Sequence, residues 1–279
     1  GFAASSEGDF QCVSQIAELA KDMSICTLAR STLTDIDRAG EALRKAKAPR
    51  IHTFISTSPV HMKHKLKMGP NAVLEAVGAS VTHSRKYAGD VEWSAEDATR
   101  TEFDFLCKAI EVAIHSGATV INVPDTVGYS HPAEYGALIR RLIENIPDSD
   151  KVIWSTHCHN DLGLAVANSL AGVINGARQI ECAVNGMGER AGNVANVIIL
   201  LRFNQFDFGT GYTISRQWSV SFNINNLTDS EGVMTWRGWG VNPGDRQSYT
   251  SLPATGQDTM LQYVPVQPRA YYLSSTYKF

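Results

Sequence analysis

The run Ser155-Thr156-His157-Cys158-His159-Asn160-Asp161-Leu162-Gly163 holds the residue types best suited to chemistry in this chain. It reads as the end of a buried strand passing into a helix. Side chains alternate across a strand, so His157 and His159 leave from the same face. Two imidazoles side by side, followed by carboxamide and carboxylate groups, can hold a divalent cation. The run Asn185-Gly186-Met187-Gly188-Glu189-Arg190-Ala191-Gly192-Asn193 follows the next strand pattern. Its glycines let backbone approach a ligand closely, and Asn193 offers an amide oxygen. Two imidazoles and one amide oxygen stand one carboxylate short of a comfortable site for Mn²⁺, Mg²⁺ or Zn²⁺.

His52, Glu92 and Thr126 occupy the ends of other strand patterns. Each has a plainer role open to it. His52 suits a hydrogen-bonded core position, and Glu92 suits a pair with Lys or Arg at a rim. Asp125 and Thr126, like Asn193, suit helix caps. Those plain roles do not explain together why such residues recur at the same end of successive units. In a parallel α/β protein that end is where ligands bind.

The elements that would position these residues are legible up to about residue 200. Strand patterns fall at 24–29, 50–55, 90–94, 119–123, 152–156 and 179–184. Between them, Pro70-Asn71 precedes Val73, Leu74, Val77 and Val81 at helical spacing, and Pro132 precedes Tyr135, Leu138, Ile139 and Leu142. Both prolines sit where a first-turn proline belongs, and Gly117 and Gly176 stand where helix C-caps belong. Six such units, recurring about every 30 residues, predict a parallel sheet, either barrel or doubly wound. No G-x-G-x-x-G follows an early strand, which lowers the dinucleotide-binding reading.

Beyond about Arg202 the pattern changes. All eight histidines and all five cysteines lie before this point, whereas 14 of the 24 aromatic residues lie after it. The stretches 218–225 and 271–279 alternate apolar and polar residues, with a Gly/Asn/Asp/Pro-containing segment between them. This is the pattern of antiparallel strands with one oily and one wet face. The two parts read as pieces of different proteins.

Composition sets outer bounds. A chain of 279 residues with 43% hydrophobic content can build a sizeable core as one large domain or two small ones. A formal charge of −3 gives no support to a nucleic-acid partner or an acidic membrane surface. Five cysteines without a C-x-x-C pair suit reduced, buried thiols better than a disulfide framework. The N-terminus Gly1-Phe2-Ala3-Ala4-Ser5-Ser6 has no basic or apolar signal segment, so the expected location is the cytoplasm. Its lack of an initiator Met suggests that the chain starts inside something longer.

Residues 1 to about 195 resemble the 2-isopropylmalate synthase family, within the pyruvate carboxyltransferase-like (HMG-CoA lyase-like) barrel superfamily. The segments that carry the resemblance are Arg50 to Pro59, Val91 to Ala98, Ile121 to Gly128, the H-x-H run, and Gly188 to Asn193. The resemblance implies an α/β fold, an incomplete TIM (β/α)8 barrel lacking its first βα unit, over residues 1–201. It implies His157, His159 and Asn193 as metal ligands and His52, Glu92 and Thr126 as the lining of a 2-oxo acid pocket. Glu189 would be a catalytic residue on the acetyl-CoA side, with Gly192 beside it. The implied cofactor is Mn²⁺ or Mg²⁺, with Zn²⁺ as an alternative, and acetyl-CoA is the implied co-substrate. The reaction would be a Claisen condensation with 2-oxoisovalerate in leucine biosynthesis, in a homodimeric enzyme. Homocitrate and citramalate synthases use related chemistry.

The family's first strand carries an Arg-Asp-Gly-Glu-Gln-like motif whose Asp is a metal ligand, and no such motif occurs here. Gly1-Phe2 matches the end of the family's second strand, which predicts an exposed parallel sheet edge. The resemblance ends near Ala195. Residues 202–279 instead resemble the end of a TonB-dependent outer-membrane receptor, through 222–229 and 269–279. Such a tail, an antiparallel β-hairpin-type segment, cannot close a membrane barrel by itself.

Overall fold

A computed structural model describes residues 1–195 and, beyond them, the backbone of five strands between residues 208 and 277. The chain divides into two compact units, Gly1–Val194 and Ala195–Phe279.

The first unit alternates helix and strand. Helix α1 (Glu7–Leu19) precedes strand β1 (Ile25–Arg30). Then follow α2 (Leu33–Ala42), β2 (Pro49–Ser56), the single turn α3 (Pro59–His61) with a π-helical continuation at Met62–Leu66, and α4 (Pro70–Ser84). After these come β3 (Asp90–Glu96), α5 (Phe103–His115), β4 (Val120–Asp125), α6 (Pro132–Asn145), β5 (Ile153–Cys158), α7 (Ala165–Ile174) and β6 (Gln179–Glu181). Local chemistry sets the helix ends. Ser6 accepts from the Asp9 amide at the start of α1, Thr32 caps α2, and Pro70 and Pro132 open α4 and α6. Gly117 and Gly176, just beyond α5 and α7, have φ of 104° and 121°.

All six strands are parallel, in the order β1-β2-β3-β4-β5-β6. A doubly wound sheet would reverse its order at a switch point. A strictly sequential order is the arc of a barrel, and here the arc is an open half-barrel. Its convex face is the core. Ile51, Val73, Val77, Val91, Ile110, Ile121 and Ile139 are fully buried between strands and helices, each contributing about 1.5–3 kcal/mol of burial. On the concave face Cys26, Leu28, His52 and Phe54 alternate with those core positions and stay half-buried.

The outer edge of β1 is partly covered, which tempers the expected open edge. The Gly1 carbonyl accepts from the Leu28 amide at 2.8 Å and from Thr27 Oγ1 at 3.0 Å. Strand β6 is shorter than the expected 179–184. The chain turns away at Val184–Gly186, where Asn185 has φ 57°, and the Ala183 amide is drawn to the Val194 carbonyl at 2.9 Å. The cysteines are unpaired, but only Cys158 is buried, against the expectation of buried thiols. Helix α1 buries Val13 and Ala17 and so turns Cys12 to solvent. Cys182 leaves the edge of β6 and is also exposed. No helix among the described residues is long and apolar enough to cross a membrane.

In the second unit β7 (Phe208–Thr213), β8 (Trp218–Asn225) and β11 (Ala270–Tyr277) form an antiparallel sheet in the order β11-β8-β7. Strands β9 (Val233–Trp236) and β10 (Gln262–Pro265) form a separate antiparallel pair. The alternating stretches 218–225 and 271–279 fall on β8 and β11, apart from the last two residues, which lie outside the described ones.

Candidate active site

A cleft of about 320 Å³ opens on the concave face towards the C-terminal ends of the strands. His157 and His159 stand at its wall, with their Nε2 atoms 3.0 Å apart. His157 leaves from β5. His159 lies one step beyond that strand and forms an antiparallel bridge with Asn193. The bridge brings the third sequence-predicted ligand to the first two, together with the Asn160 amide on the Gly192 carbonyl at 2.8 Å. Asn193 donates through Nδ2 to the Met187 carbonyl at 3.2 Å, whereas its Oδ1 is buried without a hydrogen-bond partner. An orphaned carboxamide oxygen and two imidazoles lining one cleft are residue types that can hold a divalent cation. Burial, followed by the nearby His157 and Arg190, lowers the His159 pKa below the ordinary histidine value and so favours a neutral ring.

His52 and Glu92 lie deeper on the same face. His52 Nε2 meets Ser94 Oγ at 2.5 Å, and that oxygen also accepts from Asn122 Nδ2 at 2.8 Å. Glu92 is buried. Its Oε1 accepts from Gln179 at 2.7 Å, and its Oε2 lies 3.4 Å from the Arg50 guanidinium, which also holds Asp90 at 2.7 Å. Burial, with the neighbouring Glu181 carboxylate, raises the Glu92 pKa well above the ordinary carboxylate range. His52 lines the cleft, whereas Glu92 sits beneath it in this polar layer. Glu96, four residues further along β3 on the same face, reaches the cleft and is held there by Lys65 at 2.6 Å.

Thr126 lines the cleft, and its hydroxyl accepts from the Asp97 amide at 2.9 Å beyond the end of β3; it does not cap the next helix, since the N-cap of α6 is His131. Asp125 is buried and accepts from the Ser130 amide and Thr99, shaping the loop that leads into α6. Glu189 borders the cleft with its side chain 78% exposed. Gly192 makes the turn that delivers Asn193. Its φ is 100°, and the space for a β-carbon is filled by the Gly186 carbonyl.

Three residues not singled out from the sequence complete the site. Glu181, on β6 directly beside His157, places Oε2 2.7 Å from His157 Nδ1 and Oε1 3.6 Å from His52 Nδ1. Burial alone would raise its pKa, but contact with His157 and the charges of His52 and His157 outweigh burial and hold the carboxyl well below its ordinary range. Arg190 grips Asp161 with two bonds of 2.7 and 2.8 Å and lies 3.1 Å from His159 Nδ1. Glu96 is the third. Only its place in a strand of period two, at 92, 94 and 96, signals that it shares a face with Glu92.

A second group of ligating atoms, from Cys26, His52 and Glu92, lies within 4.8 Å of one another. Burial and the Glu92 charge push the Cys26 thiol up to about 12, so a cation there must first displace a tightly held proton. It must also share Glu92 with the Arg50 guanidinium. The His157, His159 and Asn193 group includes no thiol, but the Arg190 guanidinium donates to His159 Nδ1 at 3.1 Å, so the ring hydrogen sits on the Nε2 that faces His157 and a cation between the rings must displace it.

The HMGL-like family model matches residues 1–224, beyond the point near Ala195 where the sequence resemblance was placed and into β8. The 2-isopropylmalate synthase of Caulobacter vibrioides is 62% identical over 204 residues, covering 72% of this chain and 39% of that enzyme. The 2-isopropylmalate synthase of Bradyrhizobium sp. (strain ORS 278) is 59% identical over the same shares. The chain therefore spans about 39% of the length of these curated relatives. Among solved structures, hydroxymethylglutaryl-CoA lyase from Pseudomonas aeruginosa matches with a TM-score of 0.59 and 18% identity, covering 70% of this chain and 66% of that one. The carboxyl transferase domain of Rhizobium etli pyruvate carboxylase matches with a TM-score of 0.54 and 16% identity, covering 69% and 32%. These two likenesses speak for the fold alone. Over residues 1–224, four-fifths of its length, this chain belongs to the HMGL-like family.

Proposed function

We propose that residues 1–201 carry the condensing site of a 2-isopropylmalate synthase, which joins acetyl-CoA to 2-oxoisovalerate in leucine biosynthesis. The observation that carries this reading is the 62% identity over 204 residues to an enzyme of that name. The site geometry supports it through residues of this chain. His157, His159 and Asn193 would hold a divalent cation, Mn²⁺ or Mg²⁺ before Zn²⁺. Bound there, the cation would polarise the ketone of a 2-oxo acid as a Lewis acid. His52, Ser94 and Thr126 would orient the oxo acid in the cleft, and Glu96 would face it from β3. Glu189, exposed at the border, would act on the acetyl-CoA side, with Gly192 shaping its loop.

In this reading the half-barrel is part of a (β/α)8 barrel that works as a homodimer. The barrel's first-strand carboxylate is not among these 279 residues. The receptor likeness of residues 202–279 rests on their sequence pattern alone; the HMGL-like match reaches residue 224, so a membrane-barrel origin is proposed only for the residues beyond it. Thiol release from acetyl-CoA, measured with a panel of 2-oxo acids, tests the reaction. We expect turnover by the isolated polypeptide to be weak, with 2-oxoisovalerate preferred. Preference for 2-oxoglutarate or pyruvate would move the assignment to a homocitrate or citramalate synthase.

A further inference from the structure

We propose that Lys65 is a positioning residue of the candidate active site, holding the Glu96 carboxylate against Ser56 and offsetting its charge so that an anionic 2-oxo acid can settle beside it. The inference rests on the reading of the cleft as a 2-oxo acid site. It adds a residue from the turn after β2, which that reading does not use.

Ser56 and Glu96 are register partners at the C-terminal ends of β2 and β3. The fully buried Ser56 hydroxyl donates to Glu96 Oε2. Lys65 Nζ donates to both carboxylate oxygens, Oε1 at 2.6 Å and Oε2 at 2.8 Å, and to Ser56 Oγ at 3.3 Å. Among the described residues Glu96 is the only ion-pair partner of Lys65. The backbone that delivers the lysine is unusual. Pro59 opens the turn, the chain runs in π-helical form from Met62 to Leu66, and Lys67 ends it in the left-handed region at φ 54°. A π turn re-aims the side chains it carries, and such turns recur at functional sites. The Met68 amide closes the segment on the Met62 carbonyl at 3.1 Å.

Glu96 lines the cleft and Lys65 does not, so the lysine acts through the carboxylate and not by touching a ligand. Glu181 and Glu189 line the same cleft, which is therefore rich in negative charge. A 2-oxo acid brings a carboxylate of its own, and like charges repel more strongly in a partly desolvated cleft than in water. The ammonium cancels that repulsion where Glu96 faces the ligand. Its side chain is 49% exposed, so water screens the pair from outside and the effect is moderate.

Calorimetric titration of 2-oxoisovalerate into the Mn²⁺-supplemented 279-residue chain tests the inference as a double-mutant cycle. Lys65→Met should weaken binding about 3–10-fold, and Lys65→Arg, which keeps the charge, should recover most of it. In a Glu96→Gln background, where no charge is left to offset, Lys65→Met should cost nothing further. Unchanged binding in Lys65→Met overturns the inference. So does an equal loss in both backgrounds, which would mean that the lysine meets the ligand directly or serves the fold alone. The ¹⁵N NMR signal of the Lys65 ammonium gives a readout without ligand. It should be that of a held, slowly exchanging group in the parent and be lost to fast exchange in Glu96→Gln. A signal indifferent to Glu96 overturns the inference whether or not the oxo acid binds. No uptake of any 2-oxo acid by the parent would overturn the reading of the cleft itself.

Discussion

Gly192 has φ 100°, and the Gly186 carbonyl occupies the place of its absent side chain. Gly192→Ala should therefore destabilise the first unit by about 1–3 kcal/mol, read as a lower urea midpoint. An unchanged midpoint would mean that the loop relaxes without cost. The residue matters because it delivers Asn193 to the histidine pair. At this scale the sequence made some site residues visible and hid others for physical reasons. His157 and His159 could be read from strand alternation alone. Asn193 taken alone reads better as a helix N-cap than as an amide ligand, and the bridge to His159 sets it beside the histidine pair. Glu181 gave no signal, because its meaning depends on which strand lies beside β5 and in which register. Glu92 was read as a cleft residue. It lies a layer beneath, and Glu96 on the same face reaches the opening.

Between strands, the concave face is held by a polar layer in place of an apolar core. Arg50 on β2 spans Asp90 and Glu92 on β3 and reaches Gln179 on β6 at 2.7 Å. Within that layer burial and the Glu181 charge lift the Glu92 pKa from 4.5 to about 8. A carboxyl whose folded pKa exceeds its unfolded value binds more protons when folded between the two values. Stability from this group is therefore full below about pH 4.5 and declines as pH rises towards about 8. Glu92→Gln, which stays neutral, should flatten the dependence of the melting temperature on pH over that window and raise it at pH 8. A slope identical to the parent's would show that Glu92 titrates normally. Glu181 has the opposite sense, since its depressed pKa adds stability that is lost only in acid, below the ordinary carboxylate range. The strands that carry these groups were legible from their β-branched and apolar runs. The exception was the end of β6, where a left-handed residue, Asn185, stops the strand early.

At the scale of the whole chain, the sequential strand order turns a choice between barrel and doubly wound sheet into a half-barrel. Sequence periodicity alone could not make that choice, since both folds repeat the same βα unit. The arc explains why polar residues from β2, β3, β4 and β5 converge on one cleft. It also lines that cleft with His157, His159 and Asn193, the residues proposed to hold a cation. The central claim is that a single divalent cation belongs to His157, His159 and Asn193, and not to Cys26, His52 and Glu92. Titration with Co²⁺ followed by absorption spectroscopy tests it most directly. The account predicts one ion per chain, d–d bands without a thiolate charge-transfer band, and loss of binding in His157→Ala and His159→Ala. A charge-transfer band that disappears in Cys26→Ser, with binding untouched by loss of either histidine, would contradict it.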